Sequence, residues 1–342
     1  MEKFDVVIAG GSFAGLAVAG EIADGSVVII DRKELGSGQT SACGVPVQLV
    51  EELGAGEAIL QRFDTAAFHS RSRVREVRLT QEWCTLDYGE FCRNLLKRTK
   101  AGVIRANVKG LEGGVVKTDV GDVEGKIIID ASGWNATLAR SLRPDYVDRE
   151  YLCFGIETEA PYEDSSLRFF LDPTIVQDGA AWIFPIGKSS RFGVLTFTGR
   201  GPLIPELELF LSRYGLKRGR LHGNFIPCRM REPVVGELFV VGDAAGQALP
   251  GTLEGIRKSM IYGRKCGQLV QKVLRGEMEL RRALADYSSF VNRSRKYYEL
   301  LLWGQRKLVS RGLSLGILKR FAYHVVLSRP FSGWFERTYM RW

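Results

Sequence analysis

The sequence predicts a two-lobed α/β protein, with a parallel-sheet lobe, an inserted antiparallel-sheet lobe and a C-terminal helical region. Three observations predict it. Residues 6–9 are an apolar run that ends in Gly10-Gly11-Ser12-Phe13-Ala14-Gly15 and passes into a small-residue segment, the pattern of a strand, a tight turn and a helix. Residues 238–241 end in Gly242-Asp243-Ala244-Ala245-Gly246 and repeat that pattern some 230 residues later. Between them, residues 153–156, 167–171, 181–184 and 192–197 are short apolar runs separated by turn residues, which reads as an antiparallel sheet.

The first turn has the chemistry of a phosphate site. Glycines there let backbone N–H groups approach an anion, and the helix N-terminus favours negative charge. Gly10, Ser12 and Gly15 fill the G-x-G-x-x-G spacing, with Ser12 as a small substitute for the middle glycine. A second strand ends at Asp31, 21 residues past Gly10, and Arg32 follows; a carboxylate at that place takes ribose hydroxyls. Residues 103–108 read as a strand passing an adenine, with Val108 offering its backbone to the base. Residues 126–133 read as a buried strand stopping at Ser132 and Gly133, so another backbone segment comes close. The late turn is the most telling. Asp243, between Gly242 and Gly246, suits the hydroxyls of a ribityl chain while the next helix N-terminus faces a phosphate; a plain helix N-cap is the alternative. Pro250, Gly255 and Ile256 bracket a loop that can lie along an isoalloxazine ring. Together these pieces point to FAD in a Rossmann-like lobe.

Length favours two lobes for a chain of 342 residues. The division expected is residues 1–60, 85–150 and 225–285 for the FAD-binding lobe, 61–84 and 151–224 for a substrate-binding sheet lobe, and 286–342 for basic amphipathic helices. An apolar content of 45% with 25% charged residues is ordinary for a soluble enzyme. No apolar stretch reaches the length of a membrane-spanning helix, and the start runs straight into the first strand with no room for a signal peptide. The six cysteines show no C-x-x-C or metal spacing, so reduced thiols, a cytoplasmic location and no metal site are expected. With only His69, His222 and His324 and no G-x-S-x-G turn, a triad hydrolase is disfavoured. His69 and His222 are expected at sheet edges, without a role.

Charge is concentrated at one end. Residues 287–342 hold 11 Lys and Arg against Glu299 and Glu336, whereas residues 1–286 hold 37 of each sign. The whole net charge of +9 thus sits in a tail rich in Leu, Trp and Phe. Such a tail suits an interfacial helix on the inner face of an anionic membrane, or equally a helical cap on the FAD-binding lobe. No nucleic-acid-binding module accompanies the charge, so no nucleic acid is expected as partner.

The order of motifs resembles the geranylgeranyl reductase branch of flavoproteins with the para-hydroxybenzoate hydroxylase-like fold, over roughly residues 4–275. The glycine turn, Asp31, residues 130–133 and the Asp243 turn carry the general resemblance. Residues 181–187, Ala-Trp-Ile-Phe-Pro-Ile-Gly, are similar to the family's Y-x-W-x-F-P signature, and residues 41–44, Ser-Ala-Cys-Gly, to its cysteine–glycine loop. Departures are Ala180 for the signature tyrosine, Tyr88 for a common arginine, and Leu253 for a glycine before Glu254.

The resemblance implies an enzyme that saturates C=C bonds of an isoprenoid (geranylgeranyl) chain on a lipid or prenyl diphosphate, with hydride from reduced flavin N5 and a proton from an acid. It implies Trp182, Phe184 and Pro185 as the wall of the prenyl site, and Cys43 and Gly44 beside the flavin. Cys43 is the candidate catalytic residue, as proton donor or as a group shaping the ring's surroundings; a small buried residue is the plainer alternative, and water an equal candidate for the acid. Glu254 is expected as a helix-start charge. Ferredoxin or NAD(P)H is the expected electron donor, with no second glycine turn for a nicotinamide. Two other readings stay open. One is a flavin monooxygenase or halogenase acting on an apolar or aromatic substrate, against which the hydroxylases' Asp-Gly is here Ser132-Gly133. The other is a non-catalytic flavoprotein that binds an isoprenoid.

Overall fold

The computed structural model describes residues 1–71 and 73–309. Strand β1 (Glu2–Ala9) leads through the glycine turn into α1 (Phe13–Ala19) and β2 (Val27–Asp31). The chain continues through β3 (Gly44–Pro46), α2 (Val47–Glu52), the long hairpin β4 (Ile59–Ser70) and β5 (Arg73–Leu86), and α3 (Tyr88–Lys97). Next come β6 (Gly102–Arg105), β7 (Val108–Glu112), β8 (Val115–Thr118), β9 (Val123–Asp130) and α4 (Thr137–Leu142). The middle of the chain gives β10 (Leu152–Ala160), β11 (Leu167–Leu171), β12 (Gly179–Pro185), β13 (Ser190–Thr196), α5 (Ile204–Ser212) and β14 (Leu221–Pro227). It ends in β15 (Val234–Val235), β16 (Leu238–Val240), α6 (Ile256–Leu274), α7 (Leu280–Asn292) and α8 (Arg295–Val309).

The first sheet has the order β15-β16-β9-β1-β2-β6, with β7 and β8 attached to β9. Its core strands β16, β9, β1, β2 and β6 are parallel. Helices cover parallel strands on both faces, which calls for continuous apolar runs; Val6, Val7, Ile8 and Ala9 are all fully buried. The register sets Ala9 beside both Ile30 and Asp130, and Val240 beside Asp130. The carboxyl ends of four strands therefore open onto one edge, where ligands of open α/β sheets bind.

The second sheet has the order β14-β10-β13-β12-β11-β4-β5-β3. It is antiparallel except for the parallel pair β11 and β4. The four expected strands are there, joined by β3 from within residues 1–60 and by β14, whose Pro227 still pairs with Leu152. Residues 74–80 alternate apolar and polar in the sequence, and the strand they belong to is longer, Arg73–Leu86. One face of this sheet buries Ile156, Ile183, Phe192 and Val194 against Leu207 and Phe210 of α5. The other face turns toward residues 42–44.

Two expectations change. Cys153 and Cys228 form a disulfide, so the six thiols are not all reduced; Cys43, Cys84, Cys92 and Cys266 are free and buried. The pair is 75 residues apart in sequence and meets because β10 and β14 are neighbours, with Cys153 opposite Ile226. In addition, α7 and α8 pack on the first lobe: Tyr287 Oη donates to Val240 O at 3.1 Å and Tyr298 Oη to Gln247 O at 2.9 Å. Up to residue 309 the tail is thus a helical cap, beginning at Leu280. Residues 310–342, with most of the basic aromatic tail, lie outside the described residues. Among the described residues, no helix is long and apolar enough to cross a membrane.

Candidate FAD and substrate site

At the strand ends, Gly10 has φ +108°, and a side chain there would run into the Ala131 carbonyl. Only glycine allows both the left-handed backbone and this close approach of β1 to the end of β9. Gly10 N donates to Ile30 O at 2.8 Å, and Gly11 N donates to Asp31 Oδ2 at 2.7 Å. Asp31 Oδ1 accepts from Lys33 N at 2.9 Å. A carboxylate has about four acceptor positions, so Asp31 closes the turn and keeps lone pairs for ribose hydroxyls. Arg32 beside it is exposed. Ser12 precedes α1 without a side-chain cap bond, and its Oγ lies 3.2 Å from Tyr88 Oη. Tyr88, at the family's arginine position, therefore reaches the turn as a hydroxyl, and burial pushes its phenol up so that it stays neutral. Val108 opens β7, half-buried, just past the end of β6.

At the end of β9, Asp130 is fully buried and its carboxyl is pushed up by that burial. It accepts from Ser132 N at 3.0 Å, Ser132 Oγ at 2.6 Å and Ala139 N at 2.8 Å, which pins the Ser132–Gly133 loop. Gly242 to Ala245 forms a 3-10 turn capped by Val241, so Asp243 lies inside the turn and is not its N-cap. Gly246 ends it with φ +62°. The Asp243 carboxylate makes no hydrogen bond to another described residue. Burial pushes it up to about 6, opposed by the nearby Arg231 guanidinium. An unpaired acceptor aimed at the crevice fits a ribityl hydroxyl. Arg231, which the sequence did not single out, donates to Trp134 O at 2.9 Å and Ala244 O at 3.0 Å and ties the two turns together.

The loop after this turn has Pro250 buried, Gly255 at the N-cap of α6 and Ile256 buried. Glu254 pairs with Arg257, both buried, as a helix-start charge does. Leu253 adopts φ +54°, the conformation of the glycine it replaces. Among the described residues, Cys43, Ala136 and Leu253 are the non-glycines with positive φ. Each lies in or beside a loop assigned to FAD, and such strain concentrates at ligand sites. The residues present fit the cofactor.

On the substrate side, Cys43 is 1% exposed and burial pushes its thiol up to about 12. At Gly44, a Cβ would stand 2.7 Å from the Phe184 ring. Arg191 donates to Ala42 O at 3.1 Å and Leu86 O at 3.0 Å. The second sheet is thus docked on the cysteine–glycine loop. Trp182 and Phe184 share the face that meets the loop. Strand alternation places Pro185 on the other face, and its carbonyl accepts from Thr85 Oγ1 at 2.7 Å. The wall is extended instead by residues the sequence did not reveal. Phe169 packs edge-on to Phe184 at 5.3 Å and stacks on Phe68 at 5.2 Å, with Leu79 and Trp83 in the same cluster.

Beside this wall is a polar triad. Glu157 Oε2 accepts from Trp182 Nε1 at 2.6 Å, and Glu157 Oε1 lies 2.9 Å from His222 Nε2. His222 is on the edge strand β14, as expected, but it has a partner. His69 is inside the sheet, between β11 and β5, with its ring 4.2 Å from that of Phe170.

No family model matches the chain. It is 25% identical over 326 residues to a protein from Methanosphaera stadtmanae named digeranylgeranylglycerophospholipid reductase 1, covering 84% of this chain and 80% of that one. A protein of the same name from Methanosphaerula palustris is 30% identical over 183 residues, 48% of this chain; the chain spans only 45% of that relative's length. Among solved structures, a geranylgeranyl bacteriochlorophyll reductase-like protein from Thermoplasma acidophilum superposes with a TM-score of 0.84 at 18% identity, covering 96% of this chain and 92% of that one. The fold is shared more widely: a myxobacterial FAD-dependent chondrochloren halogenase has a TM-score of 0.71 at 16% identity, over 97% and 92% of the two chains. In sequence and fold together the chain resembles the geranylgeranyl reductase family.

Proposed function

We propose that the enzyme saturates C=C bonds of an isoprenoid chain, of geranylgeranyl type, carried on a lipid or a prenyl diphosphate. The observation that carries this reading is the aromatic wall of Phe184, Trp182, Phe169 and Phe68, which starts at the Cys43–Gly44 loop and runs out across three strands. The names of the relatives support it.

When bound and reduced, FAD supplies a hydride. The chain's own residues do the rest. The Gly10–Gly15 turn would hold the pyrophosphate, Asp31 the ribose and Asp243 the ribityl hydroxyls. The aromatic wall holds the prenyl chain, at about 0.8 kcal/mol for each CH₂ buried. An unactivated alkene accepts hydride poorly, so an acid must protonate it first or in concert, with the alkene fixed against the ring. Cys43, kept neutral by burial, would stand beside the ring as an uncharged group. Leu300 and Trp303 are exposed on α8, which suits a substrate drawn from a bilayer.

The test is anaerobic incubation of dithionite-reduced holoprotein with a geranylgeranylated glycerolipid, read by mass spectrometry. Products heavier by pairs of hydrogens are expected; unchanged lipid sinks the reading. A long-lived oxygen adduct of the flavin in stopped-flow oxidation, with unchanged lipid, favours the monooxygenase or halogenase reading.

A further inference from the structure

We propose that Glu157, reloaded through His222, is the acid that protonates the alkene. The role rests on the isoprenoid-reductase reading and adds to it the missing proton source.

The wall beside the Cys43–Gly44 loop is built of aromatic rings, yet one carboxyl enters it. Glu157 is 2% exposed and stands on the same face of the second sheet as Trp182. The register explains how they meet. Gly193 of β13 is opposite Glu157 on one side and Trp182 on the other. Any side chain at 193 would collide with the indole, so the ring lies across β13 and its N–H reaches Oε2. On the other flank His222 is opposite Glu157 on β14. A carboxyl in apolar surroundings is costly unless its oxygens are paired; here both are.

The pair has the connections that proton delivery needs. The imidazole and carboxyl oxygen are 2.9 Å apart, so one proton can sit on Nε2 or on Oε1. The His222 side chain is 22% exposed while that of Glu157 is 3%, which makes His222 the link to solvent. In the step, the proton leaves Glu157 for one alkene carbon and the hydride from reduced flavin bonds to the other. The π bond breaks and two C–H bonds form. The alkene is reduced, the flavin is oxidised, and Glu157 is left as a carboxylate held by the Trp182 N–H. His222 then returns a proton to it and takes one from water. Among the described residues, titratable or charged groups on this side include Arg191 on β13, Cys43 in the loop before β3 and Glu159 on the same strand as Glu157. Arg191 is held by Ala42 O, Leu86 O and Glu159. Cys43 keeps its proton too tightly to serve at neutral pH.

The test compares FAD-loaded parent, Glu157→Gln, Glu157→Asp and His222→Gln, reduced anaerobically and mixed with a geranylgeranylated glycerolipid in micelles. In Glu157→Gln the new amide oxygen still accepts from Trp182, so the wall is kept. Glu157→Gln is expected to slow flavin reoxidation by about 100-fold or more. Its lipid affinity, read from the perturbed flavin spectrum, is expected to stay within about threefold. Glu157→Asp is expected to recover part of the rate. His222→Gln, at the sheet edge, is expected to slow turnover with lipid affinity unchanged, and decides the matter should Glu157→Gln fail to bind FAD. An active parent with Glu157→Gln equally fast, or a Glu157→Gln that loses affinity as much as rate, overturns the proton role alone. A parent that reduces no prenyl lipid overturns the reductase reading and this role with it.

Discussion

Replacing Asp243 by Asn is expected to push two quantities in opposite directions. In the FAD-free protein the Asp243 carboxyl is raised by burial from 3.8 to about 6. At neutral pH, keeping it ionised then costs the fold about 3 kcal/mol at most; partial contact with solvent at the crevice brings the expected value to about 1–2 kcal/mol. The folded carboxyl titrates above its unfolded value, so the FAD-free parent is most stable at low pH as far as this group is concerned. It loses that contribution as pH rises from 3.8 through about 6. Asn carries no charge, so the FAD-free variant lacks this fall and is more stable than the parent at neutral pH. FAD binding moves the other way. A hydroxyl-to-carboxylate hydrogen bond becomes a neutral one, a loss of about 1–2 kcal/mol and thus about tenfold in Kd. Urea unfolding of FAD-stripped protein at neutral and acid pH measures the first effect, and quenching of FAD fluorescence measures the second. A variant that is less stable than the parent without FAD at neutral pH, or that binds FAD equally well, refutes the reasoning.

Three more outcomes are expected. Gly10→Ala forces a Cβ into the Ala131 carbonyl at φ +108°, so purified protein should lack bound flavin and unfold about 2–4 kcal/mol more easily; flavin content and urea midpoints check this. Cys43, with its thiol pushed up to about 12, should react with iodoacetamide at neutral pH about a thousandfold more slowly than a free thiol, and at the normal rate once the protein is unfolded in urea. A chain ending after Val309 keeps the packed α7 and α8; in liposome flotation with anionic lipid it should lose the binding of the full chain, and equal flotation removes the membrane role of the tail.

The FAD crevice was legible because its signals are local. Gly10, Asp31, Ser132 and Asp243 each follow an apolar run that has to be a buried parallel strand, and the sheet order then brings their turns to one edge. What stayed hidden depends on pairings between distant segments. Phe68 and Phe169 meet through the parallel pair β4 and β11, which no hairpin turn announces. Cys153 and Cys228 meet only because β14 returns beside β10. Glu157 reads as one more polar position on an alternating strand until β12 and β14 bring the indole and the imidazole to it. Pro185 was assigned with its neighbours by motif, but a strand alternates its faces and sends it to the opposite side.

The claim on which the rest depends is that FAD sits between the Gly10 turn and the Asp243 turn. The most direct measurement is titration of FAD-stripped protein with FAD, followed by gel filtration and an absorption spectrum of the protein peak. One equivalent of flavin eluting with the protein, lost in both Gly10→Ala and a charge-reversing Asp243→Lys, is the expected result. A parent protein that elutes colourless from excess FAD contradicts the account.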